Sequence, residues 1–295
     1  MKLFFLPIFL AGFVSLSLAQ TATVPAGSGT TADPYQISSL ENLYWLSQNS
    51  TAWADTFVQT ADIDASETSG WDNDSGFTPI SLFQGSYDGQ GHVIDGLTIL
   101  RPDADNLGLF GQLSGIVSNL GVTGVSISGS SAVGALAGQL SQGRIDNSFS
   151  TGSVTASTGA VGGLAGSVFW TSQISDSHSG VVVMSGTGRA GGLAGSVMMD
   201  DTISNSYATG DVTGGAGYVG GLLGYVEMDI LVQDCHATGV VSGGSNYVGG
   251  LVGYASGVEI KGSHATGSVT GDSSVGGLMG YGGSDKISSS YARGT

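Results

Sequence analysis

The stretch VGGLVGYASGVEIKGSHATGSVTGDSSVGGLMGY, from Val248 to Tyr281, begins and ends on almost the same residues. Its phrase V-G-G-L-x-G-Y belongs to a series that recurs along the chain with small changes. Aligned on the leucine, the series comprises Leu109, Leu136, Leu164, Leu193, Leu222, Leu251 and Leu278. The spacings are 27, 28, 29, 29, 29 and 27 residues, and a nearly fixed period in this range predicts a solenoid of stacked repeats.

A second phrase recurs nine or ten residues after the leucine, and it reads ISNSYATGDV from Ile203 and IKGSHATGSV from Ile260. These segments show no helical period of 3.6 residues. Their short β-branched runs are bounded by Gly, Asn, Asp and Ser, which predicts strands and turns. We therefore predict an all-β fold, a parallel β-solenoid with coils of about 27–29 residues stacked about 4.8 Å apart.

The residues before the first repeat follow other patterns. The segment SSLENLYWLSQNS, from Ser38 to Ser50, has the apolar spacing of an amphipathic helix, and we expect it to cap the N-terminal end of the solenoid. We assign residues 20–107 to this cap and the first irregular coils, and residues 108–295 to the repeats, the last of them incomplete. We expect the array either to continue in a longer chain or to pair end to end with another chain.

The first 19 residues have the pattern of a secretory signal peptide. Lys2 precedes an apolar run that ends in Ser17-Leu18-Ala19, which predicts cleavage before Gln20. An uncleaved membrane anchor is the alternative. Elsewhere in the sequence no stretch approaches the ~20 apolar residues of a membrane span. We therefore predict a secreted, extracellular protein at a bacterial cell surface.

The composition excludes several classes of protein. The formal net charge of −16 disfavours nucleic-acid binding, because phosphate contacts need lysine and arginine. Charged residues make up only 10%, too few for a solvated disordered chain. The single cysteine, Cys235, rules out an intrachain disulfide, and we interpret it as a small packed residue because other repeats carry serine at its position.

Several motifs together resemble a known family. The segments GTTADPYQISSLENL, FVQTADID, FQGSYDGQGHVIDGLTI and LGLFGQL, and the VGGLxG and ATGxV phrases, are similar to the GLUG-repeat family of bacterial secreted and surface proteins. The resemblance covers nearly all of residues 28–295. It implies a right-handed parallel β-helix within large surface or adhesin-like proteins. The repeat also accompanies metallopeptidases of the IgA-protease type, but their H-E-x-x-H zinc motif is absent from this sequence, so that activity is not carried over.

Aromatic residues concentrate in the later repeats, where one position holds tyrosine three times in succession. If the repeat leucines point inward, strand alternation places the residue after each leucine on the opposite face, together with these tyrosines. We predict that this stripe binds a glycan or a protein; it comprises Tyr225, Tyr254, Tyr281, Leu223, Val252 and Met279. Packing against another part of a larger protein and a flattened coil with an interior on both sides are the alternatives.

Three of the four histidines share another repeat position with aromatic residues. The column comprises Phe149, His178, Tyr207, His236, His264 and Tyr291. We interpret it as a stack of planar side chains and predict no metal site. A metal shared by His236 and His264 is the alternative, although metal sites usually need a third ligand. The sequence leaves open whether the column faces inward or outward.

Acidic side chains occur in two settings. The segment from Ala61 to Gly76 contains five carboxylates, and we interpret it as a solvated loop, with calcium binding as the alternative. The repeat position that carries Asp176 and Asp234 carries asparagine in other repeats, and we expect these side chains to cap backbone donors at a turn. The repeat therefore explains both aspartates without catalysis.

We predict a structural or adhesive protein that is not an enzyme and needs no cofactor. The expected partners are glycans or cell-surface or matrix proteins, with neither nucleic acid nor a membrane span after signal cleavage. The alternative is a carbohydrate-active β-helix enzyme, a polysaccharide lyase or hydrolase, with Asp176 and Asp234 as a carboxylate pair.

Overall fold

The structure is a computed structural model that describes residues 20–244 and 247–294. The segment assigned as a signal peptide, residues 1–19, lies outside the described residues. The described chain forms a parallel β-solenoid of about eight coils, which confirms the predicted fold. Successive coils pair in parallel, as Phe149–Ala156 does with His178–Ser185 over eight consecutive residues.

Each coil contributes to four columns of strands, which we number in the order in which a repeat passes through them. The first column is a sheet of seven strands: Asp105–Leu107, Ser131–Val133, Ala160–Gly162, Arg189–Gly191, Tyr218–Gly220, Tyr247–Gly249 and Val275–Gly276. The second column comprises Ile80–Phe83, Phe110–Leu113, Ala137–Ser141, Ala165–Phe169, Ala194–Met198, the first parts of Leu223–Gln233 and Val252–Lys261, and Met279–Gly282.

The third and fourth columns complete each coil. The third comprises Tyr35–Ile37, Thr56–Gln59, Ser86–Asp88, Ile116–Ser118, Arg144–Asp146, Gln173–Ser175, Thr202–Ser204, the last parts of Leu223–Gln233 and Val252–Lys261, and Lys286–Ser288. The fourth comprises Ile63–Asp64, Val93–Asp95, Thr98–Leu100, Gly121–Gly129, Phe149–Ala156, His178–Ser185, Tyr207–Ala208, Val212–Gly214, His236–Ala237, Val241–Gly243, His264–Ala265, Val269–Gly271 and Tyr291–Ala292.

The predicted N-terminal helix is confirmed and spans Leu40–Gln48. Its N-cap, Ser39, accepts a hydrogen bond from the backbone amide of Asn42, and its buried face includes Leu43 and Leu46. Two short 3₁₀ helices follow, Ser50–Ala52 and Ser66–Gly70. Among the described residues, none of these helices has the length and apolar character needed to cross a bilayer.

The interior changes from aromatic to aliphatic along the solenoid. In the first coils, the rings of Phe83 and Phe110 lie 4.9 Å apart and both are fully buried. In later coils the interior is filled by columns of aliphatic residues, such as Ile145, Ile174, Ile203, Val232 and Ile260, all with 0% exposure. Each such side chain contributes roughly 1.5–3 kcal/mol by its burial, and this burial requires neighbouring coils on both sides.

The glycines of the G-G-L-x-G phrase lie where the first column turns into the second. A Cβ added at Gly220 would collide with the carbonyl oxygen of Leu223 and approach the amide of Gly253 on the next coil to 2.7 Å. A Cβ at Gly221 would collide with the carbonyl oxygen of Gly250. Glycine costs roughly 0.5–1 kcal/mol relative to alanine inside regular structure. Glycine is nevertheless required at this corner, because the backbones of two columns and of neighbouring coils meet there and leave no room for a Cβ atom.

A ladder of polar side chains marks the corner between the third and fourth columns. Its members have positive φ between 44° and 53°: Asn119, Asn147, Asp176, Asn205 and Asp234. The Nδ2 group of Asn147 donates to Oδ1 of Asn119 at 2.7 Å, and that of Asn205 to Oδ1 of Asp176 at 3.2 Å. The predicted turn is confirmed, but the expected backbone partners were wrong for Asn147 and Asn205, which instead bond to ladder members on the preceding coil.

A spine of serine hydroxyls beside this ladder bonds the backbone amides. The amide of Ser148 donates to the hydroxyl of Ser177 at 3.1 Å, and that of Ser177 to the hydroxyl of Ser206 at 3.2 Å. Each of these serines also donates its hydroxyl within its own coil, as Ser177 does to the carbonyl of Ser175 at 2.7 Å. Cys235 occupies the same column with 0% exposure, so its interpretation as a packed residue is confirmed.

Candidate binding surface

Two rows of tyrosines meet on the outside of the corner between the first and second columns. In the second column, Tyr225, Tyr254 and Tyr281 stack with centroid distances of 4.9 Å and interplanar angles of 7° and 6°. In the first column, Tyr218 and Tyr247 stack at 5.8 Å and 6°. Contacts between the rows, such as that of Tyr218 with Tyr225 at 5.1 Å, join the five rings into one cluster. We call it the tyrosine cluster.

The aliphatic part of the predicted stripe lies elsewhere. Leu223 and Val252 have 0% exposure and lie in the core, so their placement on the outer face with the tyrosines was wrong. The repeat leucines Leu222 and Leu251 are also fully buried. Two consecutive residues can point inward because the chain turns between them, from the first column into the second. Met279 packs partly buried against the core.

Strand alternation fails a second time within the second column. The pairing of neighbouring coils joins Leu223 to Val252 and Tyr225 to Tyr254, with the glycine between them left out of the pairing. A Cβ on that residue, Gly224, would approach the backbone of Ala190 in the first column to 2.8 Å. Because Gly224 faces this close contact, Tyr225 turns outward although it follows the buried Leu223 by two residues.

The N-terminal side of the tyrosine cluster carries a charge. The guanidinium carbon of Arg189 lies 4.2 Å from the ring centroid of Tyr225, which is the geometry of a cation–π contact. Arg189 also donates to the hydroxyl of Ser196 at 3.1 Å, and the hydroxyl of Tyr225 donates to Glu227 at 2.6 Å. Burial, strengthened by the hydrogen bond and the charge of Glu227, raises the pKa of Tyr225 to about 12. Tyr225 therefore stays neutral over a wider range of pH than an ordinary tyrosine.

A groove continues the line of the tyrosine cluster towards the N-terminus, with a volume of about 450 Å³. Its floor and walls include small residues at positions that later coils fill with rings: Ala160 aligns with Tyr218, and Ser167 aligns with Tyr225. Arg189 and Tyr218 close one end of the groove. Small side chains in the early coils and tyrosines in the later ones thus divide one corner into an open half and a filled half.

A second hollow of about 370 Å³ lies along the same two columns in the first coils and is lined by Thr78, Arg101, Asn106 and Gln112, among others. Here Arg101 is engaged, since it forms an ion pair of 2.7 Å with Asp72. The two arginines, Arg101 and Arg189, therefore differ in the charge that they present to a ligand.

The column of planar side chains faces outward. Ser148 and Ser150, on either side of Phe149, are 1% and 0% exposed, so the ring between them points away from the core. The alternation breaks at the corner residue Asn147, which has positive φ. Successive rings lie 4.6–5.1 Å apart at interplanar angles of 4–9°.

This stack explains the histidines without a metal. His236 and His264 lie face to face, with centroids 5.0 Å apart. Partial burial and the neighbouring His264 both lower the pKa of His236, which favours the neutral imidazole. Among residues 20–244 and 247–294, no cluster of three or more His, Cys, Asp or Glu side chains is arranged to hold a metal ion.

Most carboxylates of the acidic segment have partners within the protein. Asp62 accepts from Nδ1 of His92 and from the amide of Val93, each at 3.0 Å. Asp64 accepts from the amide of Ser66 at 2.9 Å, and Asp72 pairs with Arg101. All five carboxylates of the segment are exposed, as expected of a solvated loop, and the contacts of Asp62 and Asp72 also join neighbouring coils.

The two aspartates considered for catalysis belong to the polar ladder. Asp176 accepts a hydrogen bond from Asn205 on the next coil. Asp234 accepts one from the neighbouring Gln233 at 2.9 Å. Asn205 lies between them, so their coils are about 9.6 Å apart at the spacing of parallel strands. Both residues take the left-handed conformation that the corner requires, and this position accounts for them.

Comparison with known proteins identifies the repeat. The family model of the GLUG motif matches residues 129–155, 186–213 and 244–270. The chain carries GLUG motifs. Each match begins at the end of the fourth column and returns to it, so one GLUG motif corresponds to one complete coil. The predicted resemblance is therefore confirmed.

One curated protein that carries a related sequence is halomucin of Haloquadratum walsbyi. It is 41% identical over 169 residues, which cover 54% of this chain. The matched part is 2% of halomucin, so this chain spans only a small part of the relative that it matches. About half of this chain is thus similar to a short segment of a far longer protein.

Two solved structures have a similar fold. A protein from Bacteroides ovatus, described as a "putative immunoglobulin A1 protease", is 26% identical with a TM-score of 0.69, over 90% of this chain and 86% of that chain. An IgA1 protease is 22% identical with a TM-score of 0.64, over 86% of this chain and 20% of that one. The second likeness concerns the fold alone.

The sequence concealed several features of this surface. The role of Arg189 could not be predicted from the sequence, because only the packing of the first column beside the second shows that it stacks on Tyr225. The groove was equally hidden, since it depends on small residues in two columns that are not adjacent in sequence. Tyr218 and Tyr247 do share one repeat position, and that recurrence was the signal for the second row of rings.

Proposed function

We propose that this chain is a non-catalytic segment of an extracellular β-solenoid protein that binds a glycan or a protein partner. The observation that carries the proposal is the tyrosine cluster beside the open groove, with Arg189 between them. Tyrosines offer large, rigid contact surfaces at a low cost in conformational entropy, and aromatic residues and arginine are enriched where proteins bind partners.

The contacts within the cluster support this role. The rings are held by each other, by Arg189 and by Glu227, so little ordering is needed when a partner binds. The four tyrosines that have coils on both sides, Tyr218, Tyr225, Tyr247 and Tyr254, are only half-buried, which leaves ring surface available. Sugar rings stack on such faces, and hydroxyl groups can bond with the tyrosine hydroxyls and the polar groove walls.

The absence of catalysis is part of the proposal. Asp176 and Asp234 have structural partners at the corner, and the sequence lacks the H-E-x-x-H motif. The similar structures bear protease names, and in one of them this fold covers only 20% of the chain. We propose that this segment presents a binding surface and needs no cofactor. Any chemistry would belong to other parts of a larger protein.

An extracellular location is supported by the pattern of residues 1–19 and by the likeness to halomucin. We propose that the protein is secreted or displayed at the cell surface. The two organisms among the similar proteins, Haloquadratum walsbyi and Bacteroides ovatus, leave the predicted bacterial origin a prediction.

The test is a screen of the purified protein on glycan and matrix-protein arrays, with calcium and with a chelator. A variant with Tyr225→Ser, Tyr254→Ser and Tyr281→Ser is screened in parallel. We expect ligands of the natural protein to lose at least tenfold in affinity for the variant, and we expect the chelator to have no effect.

The matched control changes three exposed apolar residues on the fourth column's face, Val182→Ser, Met184→Ser and Val240→Ser. It should bind as the natural protein does. Equal binding by the tyrosine variant, with circular dichroism unchanged, would remove the tyrosine cluster from the mechanism. An array without a single ligand would count against the binding role and leave only a spacer.

A further inference from the structure

The corner between the second and third columns contains one extra residue in three consecutive coils. The interval from the repeat leucine to the first residue of the third column is eight residues from Leu136 to Arg144. It is nine in the coils of Leu164, Leu193 and Leu222, and eight again from Leu251 to Glu259. Where the series ends, the strand pairing shifts between Glu227 and Ile230, which is the signature of a β-bulge.

At each lengthened corner, two consecutive residues adopt a conformation that their side chains disfavour. They have positive φ in pairs: Trp170 (56°) with Thr171 (60°), Met199 (75°) with Asp200 (62°), and Met228 (71°) with Asp229 (57°). Bulky residues such as Trp and Met rarely take positive φ. A neighbouring coil has a glycine, Gly257 with φ of 70°, at this corner. Backbone strain of this kind clusters at functional sites, because folding alone would favour glycine or asparagine there.

Three bulky residues line this corner and form what we call the Trp–Met ridge: Trp170 and Met228, which are exposed, and Met199 between them, which is half-buried. Trp170 is 50% exposed and Met228 is 49% exposed, among the largest exposed fractions of any large apolar residue described. The ring of Phe169 supports Trp170 at 5.9 Å. Exposed methionine and tryptophan side chains are typical of surfaces that bind apolar segments of proteins.

Hydrogen bonds between coils hold the ridge in place. The amide of Trp170 donates to the carbonyl of Met198 at 3.3 Å, and that of Thr171 to the carbonyl of Met199 at 3.0 Å. The amide of Asp200 donates to the carbonyl of Met228 at 3.0 Å. Beneath the ridge, the carboxylate of buried Asp201 accepts from the amide of Ser172 at 2.7 Å. The ridge is therefore a built part of the solenoid.

The ridge ends at a pocket of about 300 Å³. Because the next coil lacks the extra residue, a hollow opens beside Met228 that is lined by Asp229, Ile230, Leu231, Gly257, Val258, Glu259, Ser284 and Lys286. Glu227 and Asp200 add negative charge along the ridge, so acidic groups outnumber the one lysine. An apolar ridge and an acidic pocket thus lie in line.

We propose that the Trp–Met ridge and its terminal pocket form a docking surface for a cationic, amphipathic peptide segment of another protein. Apolar side chains of the segment pack on Trp170, Met199 and Met228. A lysine or arginine enters the pocket and pairs with Asp229 and Glu259. The acidic charge selects the sign of the partner, since an acidic segment would meet like charge at the pocket and along the ridge.

The test uses synthetic peptides as probes. A fluorescent peptide of alternating leucine and lysine is titrated with the purified protein, and anisotropy is recorded at low and high salt. A leucine–glutamate peptide and a glycine–lysine peptide of equal length test the charge sign and the apolar contribution. We expect saturable binding of the leucine–lysine peptide alone, weakened several-fold by salt.

The ridge variant carries Trp170→Asn, Met199→Asn and Met228→Asn. Asparagine tolerates positive φ, so this variant should melt at the same temperature as the natural protein or higher. We expect its affinity for the leucine–lysine peptide to fall at least tenfold. A pocket variant, Asp229→Asn with Glu259→Gln, should lose most of the salt dependence.

The matched control, Val182→Asn, Met184→Asn and Val240→Asn, removes three exposed apolar residues from a different face. It should retain the affinity of the natural protein. Binding by the ridge variant as tight as that of the natural protein would overturn the proposal. So would equal binding of the leucine–glutamate peptide, or no saturable binding of any probe to the natural protein.

Discussion

The backbone amide of Cys235 donates a hydrogen bond of 3.1 Å to the hydroxyl of Ser263 on the next coil. In the serine spine, the backbone amide of each coil donates to a serine hydroxyl on the following coil. At Cys235 the acceptor for the preceding coil is a thiol instead. Its sulfur donates within its own coil to the carbonyl of Gln233 at 3.1 Å, as the serines do. Every side chain of the spine described above therefore donates a hydrogen bond within its coil. Cys235 is a weaker acceptor than the serines, and the amide that it accepts from is that of Ser206.

Replacing Cys235→Ser should stabilise the protein, because the hydroxyl is a stronger acceptor than sulfur for the amide of Ser206. A hydrogen bond contributes about 0.5–1.5 kcal/mol net, and we expect a rise in the free energy of unfolding at the lower end of that range. Chemical denaturation measures it. Cys235→Ala is the control and should destabilise, since the buried amide then lacks an acceptor; a serine variant no more stable than alanine would contradict the spine.

Cys235 should also resist alkylation. Burial raises the pKa of its thiol to about 12, so the reactive thiolate is scarce at neutral pH. We expect a maleimide or iodoacetamide to label the protein only after denaturant is added, as measured by mass spectrometry. Fast labelling of the folded protein would show that this corner opens readily.

The polar ladder predicts a graded response at Asn147. Its φ of 44° suits asparagine or glycine, and its side chain donates to Asn119 at 2.7 Å. Asn147→Gly should lose only the hydrogen bond, whereas Asn147→Ala should also incur the left-handed penalty of about 1–2 kcal/mol. Thermal unfolding should therefore rank the natural protein first, glycine second and alanine last. A glycine variant less stable than alanine would contradict this account of the corner.

Asp201 predicts a dependence of stability on pH. Burial raises the pKa of its carboxyl to about 7 from the ordinary 3.8, although backbone hydrogen bonds from Ser172 and Met198 act the other way. Between these values the folded chain keeps a proton that the unfolded chain has released. Asp201 therefore stabilises the folded state less and less as the pH rises from about 4 to about 7.

Asp201→Asn should remove the contribution of Asp201 to the change of folding stability with pH. Asparagine keeps an oxygen for the amide of Ser172 and stays neutral, so the variant should gain stability over the natural protein as the pH rises to 8. The comparison at each pH cancels the contributions of the histidines. Urea denaturation at pH 5 and pH 8 measures the difference, and an equal difference at both pH values would contradict the raised pKa.

The G-G-L corner predicts a contrast between two glycines. Gly220→Ala places a methyl group against the Leu223 carbonyl and the backbone of the next coil, and we expect a loss of about 1–3 kcal/mol or more. Gly180→Ala places it no closer than 3.5 Å to any atom outside its chain neighbours, in a strand without positive φ. That control should be neutral or stabilised by up to about 1 kcal/mol. Equal effects in thermal unfolding would contradict the close packing at the corner.

The sequence predicted the coils well because stacking places like residues on like. The leucine period, the helix before it and the packed role of Cys235 all followed from recurrence, which needs no knowledge of the third dimension. Recurrence could not place Leu223 or Val252, since strand alternation holds only within a straight strand and both residues lie just beyond a corner.

The surface was harder to predict than the core. The tyrosines were visible as a repeat, but their neighbour Arg189 is brought to Tyr225 only by the pairing of columns. The extra residue of the Trp–Met ridge was present in the sequence as spacings of 29 residues. Its position within the coil became visible only when the strand pairing showed which residues align.

The weak acceptor in the serine spine also has a mechanical meaning. Coils joined one above another bear a pull along the axis in series, so a rod of this kind parts at its least resistant interface. At the boundary between the coils of Ser206 and Cys235 a thiol replaces the hydroxyl, and its contacts with the amide of Ser206 and, at 3.5 Å, the carbonyl of Ile203 are weaker than the hydroxyl bonds at the boundaries on either side. When the solenoid is pulled along its axis, we expect the coils to separate first at this boundary.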